Sequence, residues 1–430
     1  MEKPRGNTNS DSAQNQSNRH FPSTRAEALS RLEEFLPSAE RYGTQRNHVS
    51  SDVSEVSRLS SAVRYRCLLE EEIVDAVCAR HSLGRAQKYV QEVLWRTYWK
   101  GWLQSRPQVW LDYQRRVAWL EKHAPENVLE RTRAVISGQS GVAVMDYFAN
   151  QLRTTGYLHN HARMWWASYW IHVERLPWEL GAAFFFRNLL DADPASNTLG
   201  WRWVAGIQTL GKSYLVRRSN LEKYCAPEIL ANAKGIERLD DQRVSAVPFE
   251  PIPSPQIEPL KSHPTTPPPI SGKVGVWIHA DDCAVEFSPL RSLKPDAVAS
   301  FTSKRVYEKM GLSALRCSHI SSVLTDAVNR AGAVWNCPAS CVDAESPALG
   351  VAQWACDNRL KTIVSYAPFI GPIGDALAAV RQTLDIHGVR LILLRREWDQ
   401  SLFPLATAGF FPFWNRTQKF LTARSKAILR

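Results

Sequence analysis

Apolar residues recur every three to four positions through the first half of the chain. In "TRAEALSRLEEFL" (24–36) Ala28, Leu29, Leu32 and Leu36 share one helical face, and in "LLEEEIVDAVCAR" (68–80) Leu69, Ile73 and Val77 do the same. The pattern predicts an all-helical domain over residues 21–238 with few strand-like runs. Residues 1–20 hold few apolar side chains and predict a disordered N-terminus. Nine prolines in the twenty-two residues from Pro248 to Pro269 predict an extended linker within residues 239–272. Beyond it the period changes. "VGVWI" (274–278), "KTIVSYAP" (361–368) and "VRLILL" (389–394) predict buried strands, and "GDALAAVRQTLDIHG" (374–388) a helix between the last two, ending at a glycine suited to a C-cap. Strand, helix and strand in that order predict a smaller α/β domain over residues 273–430, with parallel pairing.

Composition adds two features. The chain of 430 residues is ordinary in its apolar fraction, 44%, but carries 16 tryptophans, most of them before residue 205. "TGYLHNHARMWWASYWIHVERLPWE" (155–179) sets Trp165, Trp166, Trp170 and Trp178 beside a few specific polar groups. Such crowding is more than a core needs and implies rings that stack on something flat or carry electrons. The net charge of +11 implies an anionic partner, nucleic acid being the simplest, or a basic surface without function. The eight cysteines show no framework spacing, and "CPASC" (337–341) is not a CxxC pair. They predict reduced thiols in a cytoplasmic protein and no metal site. No apolar run reaches the length of a membrane span, and the polar opening predicts no secretory leader.

Several stretches hold residues with chemistry to offer. In "EVSRLSSAVRYRCL" (55–68) two serines flank an arginine before a helical segment, which suits either a phosphate cradle or a plain N-cap. In "QEVLWRTYWKGWL" (91–103) Glu92, Trp95 and Trp99 share a face, with Arg96 one turn from Glu92; periodicity alone reads this as core packing with a surface ion pair. Asn160, Arg163 and Met164 share an edge of the next tryptophan-rich helix. In "LLDADPASNTLGWRWVAG" (189–206) the acids Asp191 and Asp193 could hold a metal, or Asp191 could pair with Arg163 along a buried pocket. "FIGPIGDA" (369–376), after a strand, suits a nucleotide loop or simple packing.

Taken together, "YGTQRN" (42–47), "SRLS" (57–60), "QEVLWRTYW" (91–99), "TGYLHNHARM" (155–164) and "LLDADPASNTLGWRW" (189–203) resemble, in order, the FAD-binding domain of the photolyase/cryptochrome family, over Tyr42 to Tyr224. The resemblance implies an all-α FAD-binding domain of the photolyase type. It implies that Tyr42, Ser57, Leu59 and Ser60 hold the FAD phosphates with Arg96 nearby, and that Asn160, Arg163, Asp191 and Asp193 line the flavin ring. Asn197 would face flavin N5. Trp201, Trp178 and Trp119 would form the electron-transfer chain, and Glu92, Trp95, Asn160, His161, Met164 and Trp203 the pocket for a cyclobutane pyrimidine dimer, with His161 standing where such enzymes usually carry an arginine.

The activity so implied is light-driven repair of UV-damaged DNA, a carbon–carbon lyase reaction on cyclobutane dimers. The alternative is a cryptochrome-like blue-light photoreceptor that signals through the C-terminal domain. Family members place an α/β antenna domain before the flavin domain. Here "VGVWIHADDCAVEFSPL" (274–290) is faintly similar to the start of that domain, which would then be relocated to the C-terminus. The resemblance leaves a second, antenna chromophore and any partner of the C-terminal domain unassigned.

Overall fold

The computed structural model describes residues 21–50, 56–209, 212–249 and 254–428. The N-terminal twenty residues, expected to be disordered, lie outside the described residues. Helices run from Arg25–Phe35 to Pro227–Leu230. The first opens with a capping box, Thr24 accepting from the Glu27 amide while Glu27 reaches back, and buries Ala28, Leu32 and Phe35. Leu29, placed on the buried face by its spacing, is 40% exposed; it lies one position round from the stripe that Phe35 completes.

No helix or strand forms over 254–272, yet that stretch is not free of the body. The Glu258 amide donates to Ser105 O and the Arg395 amide to Pro264 O, both with backbone partners on the folded parts. A sheet follows, with strands β1 (Val274–Ile278), β2 (Ala297–Thr302), β3 (Ala339–Asp343), β4 (Thr362–Tyr366) and β5 (Arg390–Leu394). Its order is β3-β2-β1-β4-β5 and every pair is parallel. The sequence reading found β1, β4 and β5. It missed β2, where two of the four apolar residues are alanine and Ser300 interrupts the run, and β3, an edge strand with four of its five residues exposed.

Even the fully buried β1 alternates. Val274, Val276 and Ile278 belong to the same apolar cluster as the helical body and the helix Ala314–Trp335, while Trp277 belongs to a second cluster under the helices Pro347–Asp357 and Pro372–Ile386. The helix Pro372–Ile386 covers the predicted 374–388, and Gly388 beyond it adopts φ +64 as a helix-ending glycine should. "FIGPIGDA" is used for packing. The Phe369 and Ile370 amides donate to Asp281 and to Gln104, and Asp375 accepts from Trp110 and Gln114.

The sheet-bearing half is therefore fused to the helical half through one core and a set of buried charges. Arg66 donates to both Asp399 oxygens at 2.8 and 2.6 Å and to Glu70 at 3.2 Å. Lys100 reaches the other Glu70 oxygen at 2.9 Å, and Arg396 binds Asp282 through two bonds of 2.7 Å. Gly101 lets these parts close: a Cβ there would stand 2.9 Å from the Phe403 Cα. The chain then returns to the helical half, where the helix Phe410–Ile428 lies and Arg424 pairs with Asp75.

Candidate functional site

Four segments supply most of the lining of one cavity of about 520 Å³, with Tyr42, Asp191, Phe410 and Phe411 added from outside them, within the ~300–1,000 Å³ of small-molecule and cofactor sites. Helix α1 (Gln87–Gln104) presents Glu92, Trp95, Arg96 and Trp99 to it and buries Val90, Leu94, Tyr98 and Trp102 behind. Helix α2 (Asn160–Ser168) supplies Asn160, Arg163 and Met164. It starts at His159, whose ring Nδ1 accepts the His161 amide as an N-cap. Helix α3 (Pro194–Val204) opens with Asp193 accepting from the Ser196 amide at 2.8 Å and with proline at its first position. It brings Ser196, Asn197, Trp201 and Trp203 to the cavity. The fourth segment, around Val56–Ser60, adds Ser57, Leu59 and Ser60.

The polar floor is electrostatically set. Asp191 accepts from Arg163 at 3.1 Å and from Arg96 at 3.2 Å. Burial pushes its pKa up, but Arg163 and then Arg96 overcome this and hold the carboxyl at about 2. The pairing of Asp191 with Arg163 is the arrangement expected from sequence. Asp193 is likewise lowered, burial being outweighed first by Arg64, whose Nε lies 3.9 Å away. Asn197 commits its amide nitrogen to Ala182 O at 2.9 Å, which fixes the orientation of the side chain. Four buried donor atoms on the cavity wall, Ser60 Oγ, Arg96 Nη1, Ser196 Oγ and Trp201 Nε1, have no hydrogen-bond partner among the described residues. Buried polar atoms are almost always paired, so these donors point to an absent ligand with several acceptors.

The aromatic side differs. Trp95 stacks on Phe410 at 3.8 Å and 9°, and Trp203 stacks on Tyr214 at 5.9 Å and 28°. Glu92 stands beside Trp95, paired with Arg46; burial pushes its pKa up against the pull of Arg46. Asn160 donates towards the Met164 sulfur at 3.9 Å. Tyr42 lines the cavity too, packed edge-on against Phe35 and Tyr89.

One residue expected in the pocket stands elsewhere, and two tryptophans of the expected electron chain lie away from the cavity. His161 is not among the cavity-lining residues: its ring nitrogens face Asn47 O at 2.8 Å and the Tyr214 hydroxyl at 3.2 Å, and it lies against Trp165. It sits one layer behind the wall because, one residue on from Asn160, it is turned about 100° round α2 from the edge that carries Asn160 and Met164. Trp178 contacts Tyr113 at 5.7 Å, whereas the ring neighbours of Trp201 are Phe185, Trp166 and Trp170. Trp119 is 48% exposed, stacked on His123. The sequence reading missed Lys88, Phe410 and Phe411 among the lining residues, while Arg58, the arginine flanked by serines in its candidate phosphate cradle, does line the cavity. Arg58 holds φ +56, a left-handed conformation that costs a non-glycine residue energy and clusters at functional sites. No periodic signal marks it, and Phe410 and Phe411 lie more than three hundred residues from α1 in sequence.

A helical domain with a polar floor, unpaired donors and a stacked aromatic wall defines a cofactor site joined to a site for flat rings. Among the described residues no cluster of three or more His, Cys, Asp or Glu is placed for a metal, and no helix is long and apolar enough to cross a membrane. Residues 89–227 match the family model described as the FAD binding domain of DNA photolyase. The chain is 26% identical over 200 residues to the deoxyribodipyrimidine photo-lyase of Escherichia coli (strain K12), covering 45% of this chain and 42% of that one. To the enzyme of that name from Streptomyces griseus it is 33% identical over 154 residues, covering 36% and 32%. A solved structure of a cryptochrome from Synechocystis sp. PCC6803 is 23% identical, with a TM-score of 0.43, over 52% of this chain and 49% of that one. The chain spans less than half the length of these curated relatives. The similarity to the photolyase/cryptochrome family lies in the helical half of the chain, over residues 89–227.

Proposed function

We propose that the protein is an FAD-dependent, light-driven DNA repair enzyme that splits cyclobutane pyrimidine dimers. The observation that carries the reading is one cavity with two unlike walls. Asp191, Arg163, Arg96 and Asn197 line it together with Glu92, Trp95, Asn160, Met164 and Trp203.

FAD fits the first set. Its phosphates and hydroxyls would accept from Arg96 Nη1 and Ser196 Oγ near Tyr42, Ser57, Leu59 and Ser60. Asp191, Arg163, Asp193 and Asn160 would line its ring, and Asn197, held by Ala182, would meet N5. When bound and reduced, FAD supplies on blue-light excitation the electron that opens the dimer and receives it back. The chain supplies the rest. Trp95 and Trp203 give flat walls for a flipped dimer, and Met164 an apolar contact. Glu92, beside Trp95 on the cavity, would hydrogen-bond the carbonyl edge of the dimer and stabilise its radical anion. Trp201, at the cavity, with Trp178 and Trp119 would carry electrons to the cofactor for its reduction. The positive balance of the chain, +11, supplies phosphate contacts that weaken with salt.

The test is dimer loss from a thymine-dimer oligonucleotide under blue light with the reduced, FAD-loaded protein, against a dark control and Glu92→Ala. Loss in the light alone, reduced at least tenfold in E92A with flavin photoreduction intact, supports repair. A dimer that survives while the flavin still photoreduces ends the enzyme reading in favour of a photoreceptor.

A further inference from the structure

The aromatic wall is completed by the last helix of the chain. Phe410 is 4% exposed and backs one face of Trp95, with Tyr98 at 5.7 Å on another side. Its neighbour Phe411 is 63% exposed and lines the same cavity. Single exposed phenylalanines are common on protein surfaces and need no explanation. This one differs in how firmly it is held. The turn before it is tied to α1 and the residues that follow by Tyr98 donating to Ala408 O at 2.7 Å and Arg106 donating to Thr407 O at 2.9 Å. Phe413 and Trp414 behind it are buried, and the helix is pinned further on by Arg424 and Asp75. Ordering the residue has therefore been met by folding, and its exposed ring lies on a cavity that Lys88 and Arg46 also line. A fixed, wet aromatic face at the mouth of a cation-bearing cavity is the usual platform for an unstacked nucleobase.

We infer that Phe411 stacks on a base flanking the flipped lesion, so that the C-terminal segment is part of the DNA-binding site. The inference rests on the repair reading above and adds a contact to it. In the bound complex Trp95 and Trp203 hold the dimer, and Phe411 takes the face that the neighbouring base loses when the dimer leaves the stack.

The experiment measures binding in the dark by fluorescence anisotropy, with the FAD-loaded full chain. The probes are a labelled single-stranded oligonucleotide carrying one thymine dimer, the same strand undamaged, and a dimer strand with abasic sites on both flanks. Phe411→Ala is expected to weaken binding of the dimer strand roughly tenfold, the scale of one lost base–aromatic stack. Phe411→Trp is expected to restore it. Flavin content and denaturation midpoint should match the wild type in both variants. On the abasic-flanked strand wild type and F411A should bind alike, because the partner base is gone; a folding defect would persist there. Equal binding of the normal dimer strand by wild type and F411A overturns the inference alone, as does a penalty that survives removal of the flanking bases. A wild type with no preference for the dimer strand overturns the repair reading and this contact with it.

Discussion

Two regions of the molecule bury charge, and they do so in opposite ways. Where the helical half meets the sheet, Arg66, Lys100 and Arg396 face Glu70, Asp282 and Asp399, all under 7% exposed. The six groups answer one another: burial raises the Glu70 pKa, and Arg66 and Lys100 bring it down to about 2. At the cavity, Asp191 is as deeply buried and as firmly ionised, yet Arg96, its partner, keeps Nη1 unpaired and Ser196 and Trp201 keep theirs. A closed set of charges serves the fold; an open set waits for something that is not protein. Burial and pKa alone do not separate the two, since Glu70 and Asp191 have the same direction and nearly the same value. What separates them is that four unpaired donors gather on one cavity, whereas Arg395 Nη1 is a single unpaired atom near the closed set.

The largest expected effect breaks the closed set. Arg66→Met leaves Glu70 and Asp399 buried with fewer cations, and removing one partner of a buried pair costs on the order of 3–5 kcal/mol. A large share of a typical domain's stability would go. Urea denaturation of the flavin-free protein should show it as a lower midpoint, or the protein should fail to accumulate. A midpoint near the wild type would mean the charges are not coupled as drawn. For the same reason, deletion of 273–430 is expected to give an insoluble chain, because Arg66 and Lys100 would lose Asp399, Asp282 and the sheet-side core at once. Such a deletion cannot distinguish repair from signalling; Glu92 can.

Breaking the open set should act on the ligand more than on the fold. Arg163→Ala leaves Asp191 its bond to Arg96, and Arg163 is itself partly exposed. The flavin-free stability should fall by about 1.5–3 kcal/mol, the scale of a hydrogen bond to a charged group. FAD affinity should fall roughly 30-fold or more, since truncating a partner in a buried charged pair costs about 2–5 kcal/mol in binding. Fluorescence titration with FAD reads the second number and denaturation the first. If R163A loses stability as R66M does and binds FAD normally, the distinction between the two sets is wrong.

How far this contrast was legible in the sequence follows from range. Helical periodicity marked the helices that carry the site, and the pairing of Asp191 with Arg163 followed from residues twenty-eight apart on adjoining segments. The parallel sheet was legible where strands are apolar runs, as in β1, β4 and β5. It was not where β2 is a short run interrupted by Ser300 and β3 lies exposed at the edge. The proline-rich stretch reads as a tether because its local composition is that of one. Only the tertiary fold shows the Glu258 amide bonded to Ser105 and a core continuous across both halves. The same limit hid Phe410, whose local pattern says helix and nothing about Trp95. His161 illustrates the reverse error. A motif position says which residue to look at, and the helix face decides whether it reaches the cavity.

The smallest effect concerns a buried group that belongs to neither set. His159 caps α2 by accepting the His161 amide on Nδ1, which leaves the proton on Nε2, and Nε2 has no partner among the described residues. Burial first, then the neighbouring His161 and Arg163, lower its pKa to about 3. The unfolded chain takes up that proton near pH 6.5, and the folded protein resists it down to about 3. Below 6.5 the unfolded state therefore binds more protons, so stability is lost as pH falls from 6.5 towards 3. Each proton so resisted contributes a slope of about 1.4 kcal/mol per pH unit. His161, His172, His263 and His319 are lowered as well and add to the wild-type slope in the same window. His159→Asn keeps an N-cap acceptor and removes one titrating group. Urea denaturation at pH 7 and pH 5.5 should give nearly equal stabilities for the two proteins at pH 7, and a loss smaller by about 1 kcal/mol for H159N at pH 5.5. Parallel losses would mean that water or a ligand already serves the imidazole, and that His159 belongs with the open set at the cavity.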